Sequence, residues 1–195
     1  MPMRVVIADD EWLIAAAMRR QIESYGHTVV GTASTGKEAL RLCRAESPDL
    51  VLMDVQMPDM DGIEATRRLM EQGPVCVVIV TGKGQFDQTA AQAGAMGYVT
   101  KPLLTNQIPA VMDSALQRFD RFMTVYRSSS SSQEALQAWL AVRQAVAELT
   151  SSVAASEEDA FAQVERMARR RRLSLPEAAG LIVASGRVGA TALSC

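Results

Sequence analysis

The chain has 195 residues, 48% of them hydrophobic and 22% charged, and this excludes wholesale disorder. That length suits one domain of about 120 residues and a smaller companion, and a net charge of −2 argues for neither nucleic acid nor membrane as a bulk partner. No apolar stretch reaches the length of a membrane span, His27 alone cannot furnish a histidine-rich metal site or a Ser-His-Asp triad, and Cys43, Cys76 and Cys195 fit no zinc spacing. The cysteines are expected to be reduced thiols. Met1 runs into Val5-Val6-Ile7 without the regions of a signal peptide, so a soluble, cytoplasmic protein is expected.

In chain order, short Val- and Ile-rich runs alternate with amphipathic stretches. Arg4–Ala8, Thr28–Ala33, Leu50–Met53, Val75–Thr81 and Gly97–Val99 read as strands. Helical patterns lie between and after them, at Trp12–Tyr25, Lys37–Glu46, Gly62–Glu71, Gln85–Ala93 and Thr105–Tyr126. Five βα units in series predict a doubly wound five-stranded parallel sheet with helices on both faces. The third and fourth runs are apolar without alternation, as strands buried on both sides should be.

Five consecutive serines, Ser128–Ser132, follow the long fifth helical pattern and predict a flexible hinge. From Gln133 the pattern is all helical. Glu134–Leu149 carries Leu136, Leu140, Val146 and Leu149; Ser156 with Asp159 opens a helix running to the arginines at 169–172; Ser174 with Glu177 opens a last helix, expected to fade near Gly186. The predicted domains are residues 1–122, a helical extension and Ser-rich linker at 123–132, and a small all-α three-helix domain at 133–195.

Polar residues cluster where parallel sheets place their ligands, at the carboxyl ends of strands. The first strand ends in Asp9-Asp10-Glu11, the third in Asp54, the fourth in Thr81-Gly82, and the fifth leads to Lys101-Pro102. Converging carboxylates repel one another unless a cation joins them, and Mg²⁺ suits hard oxygen donors beside phosphate. A carboxylate so placed can attack a phosphoryl group in line while metal and lysine neutralise the spreading charge. Lys101 would supply that cation, and the Thr81 hydroxyl would bond the new phosphoryl oxygen. An Asp after a strand is more often a helix cap and a Lys-Pro pair more often a turn; the weight lies in their joint appearance at four strand ends.

From Met3 to about Phe122 the chain resembles the receiver domains of two-component response regulators, which have a flavodoxin-like fold. The resemblance rests on Val5–Glu11, Asp49–Pro58, Asp61-Gly62, Val80-Thr81-Gly82 and Gly94–Pro102. It implies that Asp54 is the phosphoacceptor, charged by a sensor histidine kinase. It also implies that Asp10, Asp54 and the Gln56 backbone carbonyl hold Mg²⁺, with Asp9 acting through water. Thr81 and Tyr98 match the family's switch pair, Lys101 its phosphate-pairing cation, and Lys101-Pro102 its cis peptide. Phosphorylation commonly drives homodimerisation through the face around Tyr98, and the phosphorylated lifetime varies with side chains such as Gln56 and Lys83. Haloacid-dehalogenase-type phosphatases share the phosphoaspartate chemistry but place an Asp two residues after the nucleophile; Gln56 stands there, so the protein is expected to be a switch and not an enzyme.

Residues 133–184 resemble the ANTAR domain, an RNA-binding antiterminator module that engages paired hairpin loops in leader transcripts. The likeness lies in Ser156–Phe161, Arg166–Arg172, Leu175 and Ala179–Val183. It implies RNA contacts by Arg166, Arg169, Arg170, Arg171 and Arg172. The chain departs from the family's Ala-Lys-Gly core, having Ala145-Val146-Ala147, and seven arginines balance seven acids from Gln133 onward with no lysine. The arginines also complement a helix dipole. Two other outputs fit the residues: a protein-docking module with Trp139, Leu140, Phe161 and Val164 as an apolar seam, and a helix-turn-helix, for which the last helix offers few base-reading side chains.

Overall fold

The computed structural model describes residues 2–82, 88–103, 107–153 and 156–191. Five strands, β1 (Arg4–Ala8), β2 (Thr28–Ala33), β3 (Leu50–Asp54), β4 (Cys76–Thr81) and β5 (Gly97–Thr100), pair in parallel in the order β2-β1-β3-β4-β5. This is the flavodoxin-like doubly wound order, in which the chain reverses direction across the sheet after β2. The intervening helices are α1 (Trp12–Ser24), α2 (Gly36–Glu46), α3 (Gly62–Gln72), α4 (Gln88–Ala93) and α5 (Gln107–Tyr126). The starts predicted for the last two, Gln85 and Thr105, lie outside the described residues, as does Lys83.

β3 is buried along its whole length, and β4 is buried up to Val80. Side chains on a strand alternate between faces, so each strand feeds two cores. Val6, Ala8, Val51, Met53, Val77 and Ile79 pack with Ala39, Leu40 and Cys43 of α2 and Ala65 and Leu69 of α3. Buried Cys43 and Cys76 are free thiols, and burial pushes them up to about 11 and about 12 respectively. Neither is a nucleophile near neutral pH.

The chain divides into two compact units, Met1–Arg121 and Phe122–Cys195, with the division inside α5. The second unit holds α6 (Ser132–Val153), α7 (Glu157–Arg171) and α8 (Leu175–Thr191). The serine run, where the sequence predicts a flexible hinge, caps both adjoining helices. Ser128 and Ser129 donate their hydroxyls to the Val125 carbonyl at 2.8 and 2.9 Å, closing α5. Ser131 Oγ accepts from Glu134 N at 3.2 Å while Glu134 Oε2 accepts from Ser130 N at 2.8 Å, opening α6. Serine is a poor helix former because its hydroxyl competes for the backbone; at a helix end that competition becomes a cap.

α6 buries Ala135, Trp139, Val142, Ala145 and Val146, while Leu136, Leu140 and Leu149 are only half-buried. It packs on both α7 and α8, so its buried stripe is set by small residues and Trp139 between two neighbours. The Trp139 ring meets Phe122 edge-on at 6.1 Å. Phe161 and Val164 of the expected seam are buried. α8 continues past Gly186 to Thr191, beyond the predicted end. Glycine lowers helix propensity by about 1 kcal/mol but keeps its backbone N–H, so it weakens a helix without ending it.

Candidate functional site

The carboxyl ends of β1, β3, β4 and β5 share one pocket. Asp54 ends β3 and Asp9 follows β1; they are 5% and 3% exposed, whereas Asp10 is exposed. Lys101, just after β5, reaches both buried acids. Its Nζ lies 2.9 Å from Asp54 Oδ1, 2.9 Å from Asp9 Oδ2 and 3.4 Å from Glu11 Oε1. Backbone amides hold the remaining oxygens: Gln56 N donates to Asp54 Oδ2 at 2.8 Å, and Glu11 N donates to Asp9 Oδ1 at 2.9 Å. Asp9 Oδ2 accepts no aligned hydrogen bond and has only its ion pair.

Strand register brings Thr81 to this pocket. Asp54 pairs with Val80 across β3–β4, and Thr81 pairs with Thr100 across β4–β5. Lys101 N donates to Thr81 O at 2.7 Å, and the Lys101-Pro102 peptide is cis. Tyr98 lies on β5 with its side chain 41% exposed. Asp9, Asp10, Asp54, Thr81 and Lys101 therefore sit at the same sheet edge, with Tyr98 on the outer strand opposite Ile79.

Two anions share one lysine here, and the charge balance shows the shortage. Burial raises Asp54 above the usual carboxylate range; the hydrogen bond and charge of Lys101 pull it down without cancelling the rise, and Asp9 adds to it. Burial works against the Lys101 ammonium, yet Asp54 and Asp9 together hold its pKa above the ordinary value. The pocket keeps its cation firmly and still lacks positive charge. Asp9, Asp10 and Asp54 each offer a carboxylate oxygen, all within 4.8 Å of one another. Hard oxygens gathered around a single ammonium fit a small divalent cation such as Mg²⁺.

Two features of the site carried weaker sequence signals. Glu11 extends the acidic run and shares Lys101. Gly62, at the start of α3, lies so close to β3 that a Cβ there would stand 1.9 Å from Asp54 O. Gly36 meets the other end of the same loop, where a Cβ would lie 2.7 Å from Met60 O. The Asp61-Gly62 pair was visible in the sequence; the close approach behind it was not.

The arginines of the second unit are arranged differently. α7 starts at Ser156, whose Oγ accepts from Asp159 N at 3.1 Å, and it carries Glu157, Glu158 and Asp159 in its first turn. Arg169, Arg170 and Arg171 occupy the last turn and Arg172 caps it at φ 58°. With Arg166 they are all exposed, and none makes an ion pair among the described residues. They fall on two flanks. Arg166, Arg170 and Arg171 line a cleft of about 330 Å³ with Leu149, Gln163, Met167 and Ile182, while Arg169 and Arg172 line a groove with Glu165, Ala168, Leu173 and Leu175. Val146, which stands where the ANTAR pattern has a lysine, is buried. No helix among the described residues is long and apolar enough to cross a membrane.

Residues 5–113 match the family model described as the response regulator receiver domain. The transcriptional regulatory protein PdtaR of Mycobacterium tuberculosis is 32% identical over 184 residues, 93% of this chain and 90% of that protein, so the likeness extends into the helical unit. A protein-glutamate methylesterase/protein-glutamine glutaminase of Pseudomonas fluorescens is 50% identical over 80 residues, 40% of this chain and 24% of that protein. A crystal structure of a LuxR-family two-component response regulator from Aurantimonas sp. is 35% identical with a TM-score of 0.57, covering 60% of this chain and 86% of that one.

Proposed function

The chain belongs to the response regulator receiver domain family, and from that premise we propose that it is a phosphorylation-gated transcriptional switch whose receiver, residues 1–122, governs an RNA-binding antiterminator output at 133–195. Asp54 is the phosphoacceptor. The observation that carries this is its carboxylate, oriented by Gln56 N on one oxygen and by Lys101 on the other, in a pocket short of positive charge.

A carboxylate oxygen of Asp54 attacks the phosphorus of a phosphohistidine on the partner sensor kinase. The P–N bond breaks with its electron pair left on the imidazole, and an acyl phosphate forms on Asp54. Asp10, Asp54 and the Gln56 carbonyl would hold Mg²⁺, with Asp9 reaching it through water, and the metal would neutralise phosphoryl charge. Lys101 exchanges its carboxylate partner for a phosphoryl oxygen, and the Thr81 hydroxyl donates to another. The modification adds about −1.5 to −2 charge at the end of β3. Tyr98 is the packing element that responds: its ring, exposed here, turns inward as Thr81 moves, and the face around it pairs with a second copy.

For the output, support comes from the likeness to PdtaR along both units and from five exposed arginines that make no ion pair among the described residues. Arginine suits phosphate contacts and stacking on splayed loop bases. The exposed face of α8, with Glu177, Gly180, Leu181, Ala184 and Ser185, offers little for reading duplex DNA.

The deciding experiment treats the full chain and Asp54→Asn with beryllofluoride and Mg²⁺, then presents each with a pool of leader RNAs and with duplex DNA. Only the activated wild type should retain RNA, and it should sediment as a dimer. A modified Asp54→Asn protein would sink the site assignment. Retention of neither nucleic acid by an activated wild type would move the output to a protein partner.

A further inference from the structure

The cleft between α6, α7 and α8 has a composition that the general basic character of α7 does not explain. Gln163, Arg166, Met167 and Arg170 stand at i, i+3, i+4 and i+7, one face of α7. Leu149 of α6 and Ile182 of α8 join Met167 to make an apolar floor, Ile182 being 7% exposed. Arg166, Arg170 and Arg171 form the rim, and Gln163 adds an amide that both donates and accepts. Among the described residues no acid lines the cleft, whereas Glu165 lines the groove on the other flank.

We propose that this cleft binds a single nucleotide, with its base on the Leu149–Met167–Ile182 floor and its phosphate on Arg166 and Arg170. An inorganic anion would use the rim and leave the floor idle. A purely apolar ligand would strand three guanidinium groups against it. A planar heteroaromatic ring joined to a phosphate uses both: the ring stacks on Met167 and a guanidinium plane, its edge meets Gln163, and the phosphate takes forked hydrogen bonds. The volume, about 330 Å³, lies at the small end of ligand sites and suits one nucleotide rather than several. The nucleotide is either free or the unstacked loop nucleotide of an RNA hairpin. Only the second form rests on the RNA reading above.

The test uses the full chain with AMP, GMP, CMP, UMP and inorganic phosphate, followed by ligand-observed NMR titration. Exposed residues supply the variants, so folding is preserved: Arg166→Ala with Arg170→Ala for the cleft, and Arg169→Ala with Arg172→Ala as the control on the opposite flank. Met167→Ala reports on the floor. At least one mononucleotide should bind at least tenfold more tightly than inorganic phosphate. The cleft pair should weaken it tenfold or more, Met167→Ala should weaken it without changing phosphate binding, and the control pair should leave it unchanged. Equal loss in both arginine pairs, no preference for nucleotide over phosphate, or no binding at all would overturn the proposal. The same variants in the leader-RNA assay separate the sources. Nucleotide binding without RNA retention would leave the cleft as a free-nucleotide site and reject the RNA output; RNA retention indifferent to the cleft pair and to Met167→Ala would reject the cleft and keep the RNA output.

Discussion

In the acidic pocket, three strand ends deliver Asp9, Glu11, Asp54 and Lys101, and every carboxylate among them lies within 3.4 Å of one ammonium. In the second unit, five arginines come from a single helix and its cap, stand in water, and make no ion pair among the described residues. The first arrangement costs desolvation and is held by the fold around it, as the raised Asp54 records. The second costs the fold almost nothing. Strongly perturbed charges cluster at sites of chemistry, whereas exposed charges are available to whatever arrives from outside. The contrast predicts opposite responses to mutation: disturbing the pocket's scaffold should unsettle the whole receiver, and removing the arginines should hardly register until a ligand is offered.

The largest effect is expected at Gly62. A methyl group there would stand 1.9 Å from Asp54 O and 2.9 Å from Met53 Cγ, so α3 or β3 must shift. Gly62→Ala should cost about 3 kcal/mol, the upper range for overpacking a close-packed site. Gly36→Ala, with its nearest approach at 2.7 Å, should cost less. Denaturant melts of both variants check the order. If Gly62→Ala melts with the wild type, α3 does not clamp Asp54 and the pocket is looser than its distances imply.

The pocket was legible in the sequence because its parts come from separate elements. Asp9, Asp54, Thr81 and Lys101 each follow a hydrophobic run, and a parallel sheet aligns such ends. The sequence could not show that Gly62 abuts Asp54 O, since no local pattern reports a contact between a helix start and a neighbouring strand end. Nor could it show that the serine run, whose composition suits a linker, turns its hydroxyls to carbonyls and amides of the adjoining helices. In α6 the apolar periodicity pointed to Leu136, Leu140, Val146 and Leu149; of these Val146 is buried, and the rest of the buried stripe is Ala135, Trp139, Val142 and Ala145. A helix packed on two partners has a stripe too wide to locate from its leucines alone.

Metal binding is the next effect in size. At 100 times its dissociation constant, Mg²⁺ should stabilise the folded chain by about 2.7 kcal/mol. Asp54 is raised in the folded chain, so without metal its own contribution to stability is present at low pH and is lost as pH rises through that raised value. Mg²⁺ competes with the same proton, so its stabilisation should grow over that interval. Lys101, raised too, keeps its charge throughout and loses it only in strongly alkaline solution. Thermal melts with and without Mg²⁺ should therefore diverge more at neutral pH than at an acidic pH where the Asp54 carboxyl is still protonated. Asp10→Ala should remove most of that divergence. A gain from Mg²⁺ that is the same at both pH values, or that survives in Asp10→Ala, would place the ion elsewhere.

The smallest expected effect bears most directly on the contrast between the two regions. Replacing Arg169, Arg170, Arg171 and Arg172 with alanine removes four exposed charges that pair with nothing among the described residues. Their interaction with the α7 dipole contributes about 0.3–1 kcal/mol near a helix end. Alanine recovers part of that through its higher helix propensity at 169–171, while at Arg172 the left-handed φ of 58° makes alanine unfavourable. The sum should lie within about 0.5 kcal/mol of zero by denaturant melt, the usual range for surface substitutions. On leader RNA, however, the same variant should bind more weakly and with a shallower dependence on salt, because each lost phosphate contact releases fewer counterions. A large loss of stability would mean that these arginines hold the helical unit together, and the division between charges that build the fold and charges left free for a ligand would fail. Unchanged RNA binding at every salt concentration would reduce them to a solvated helix end.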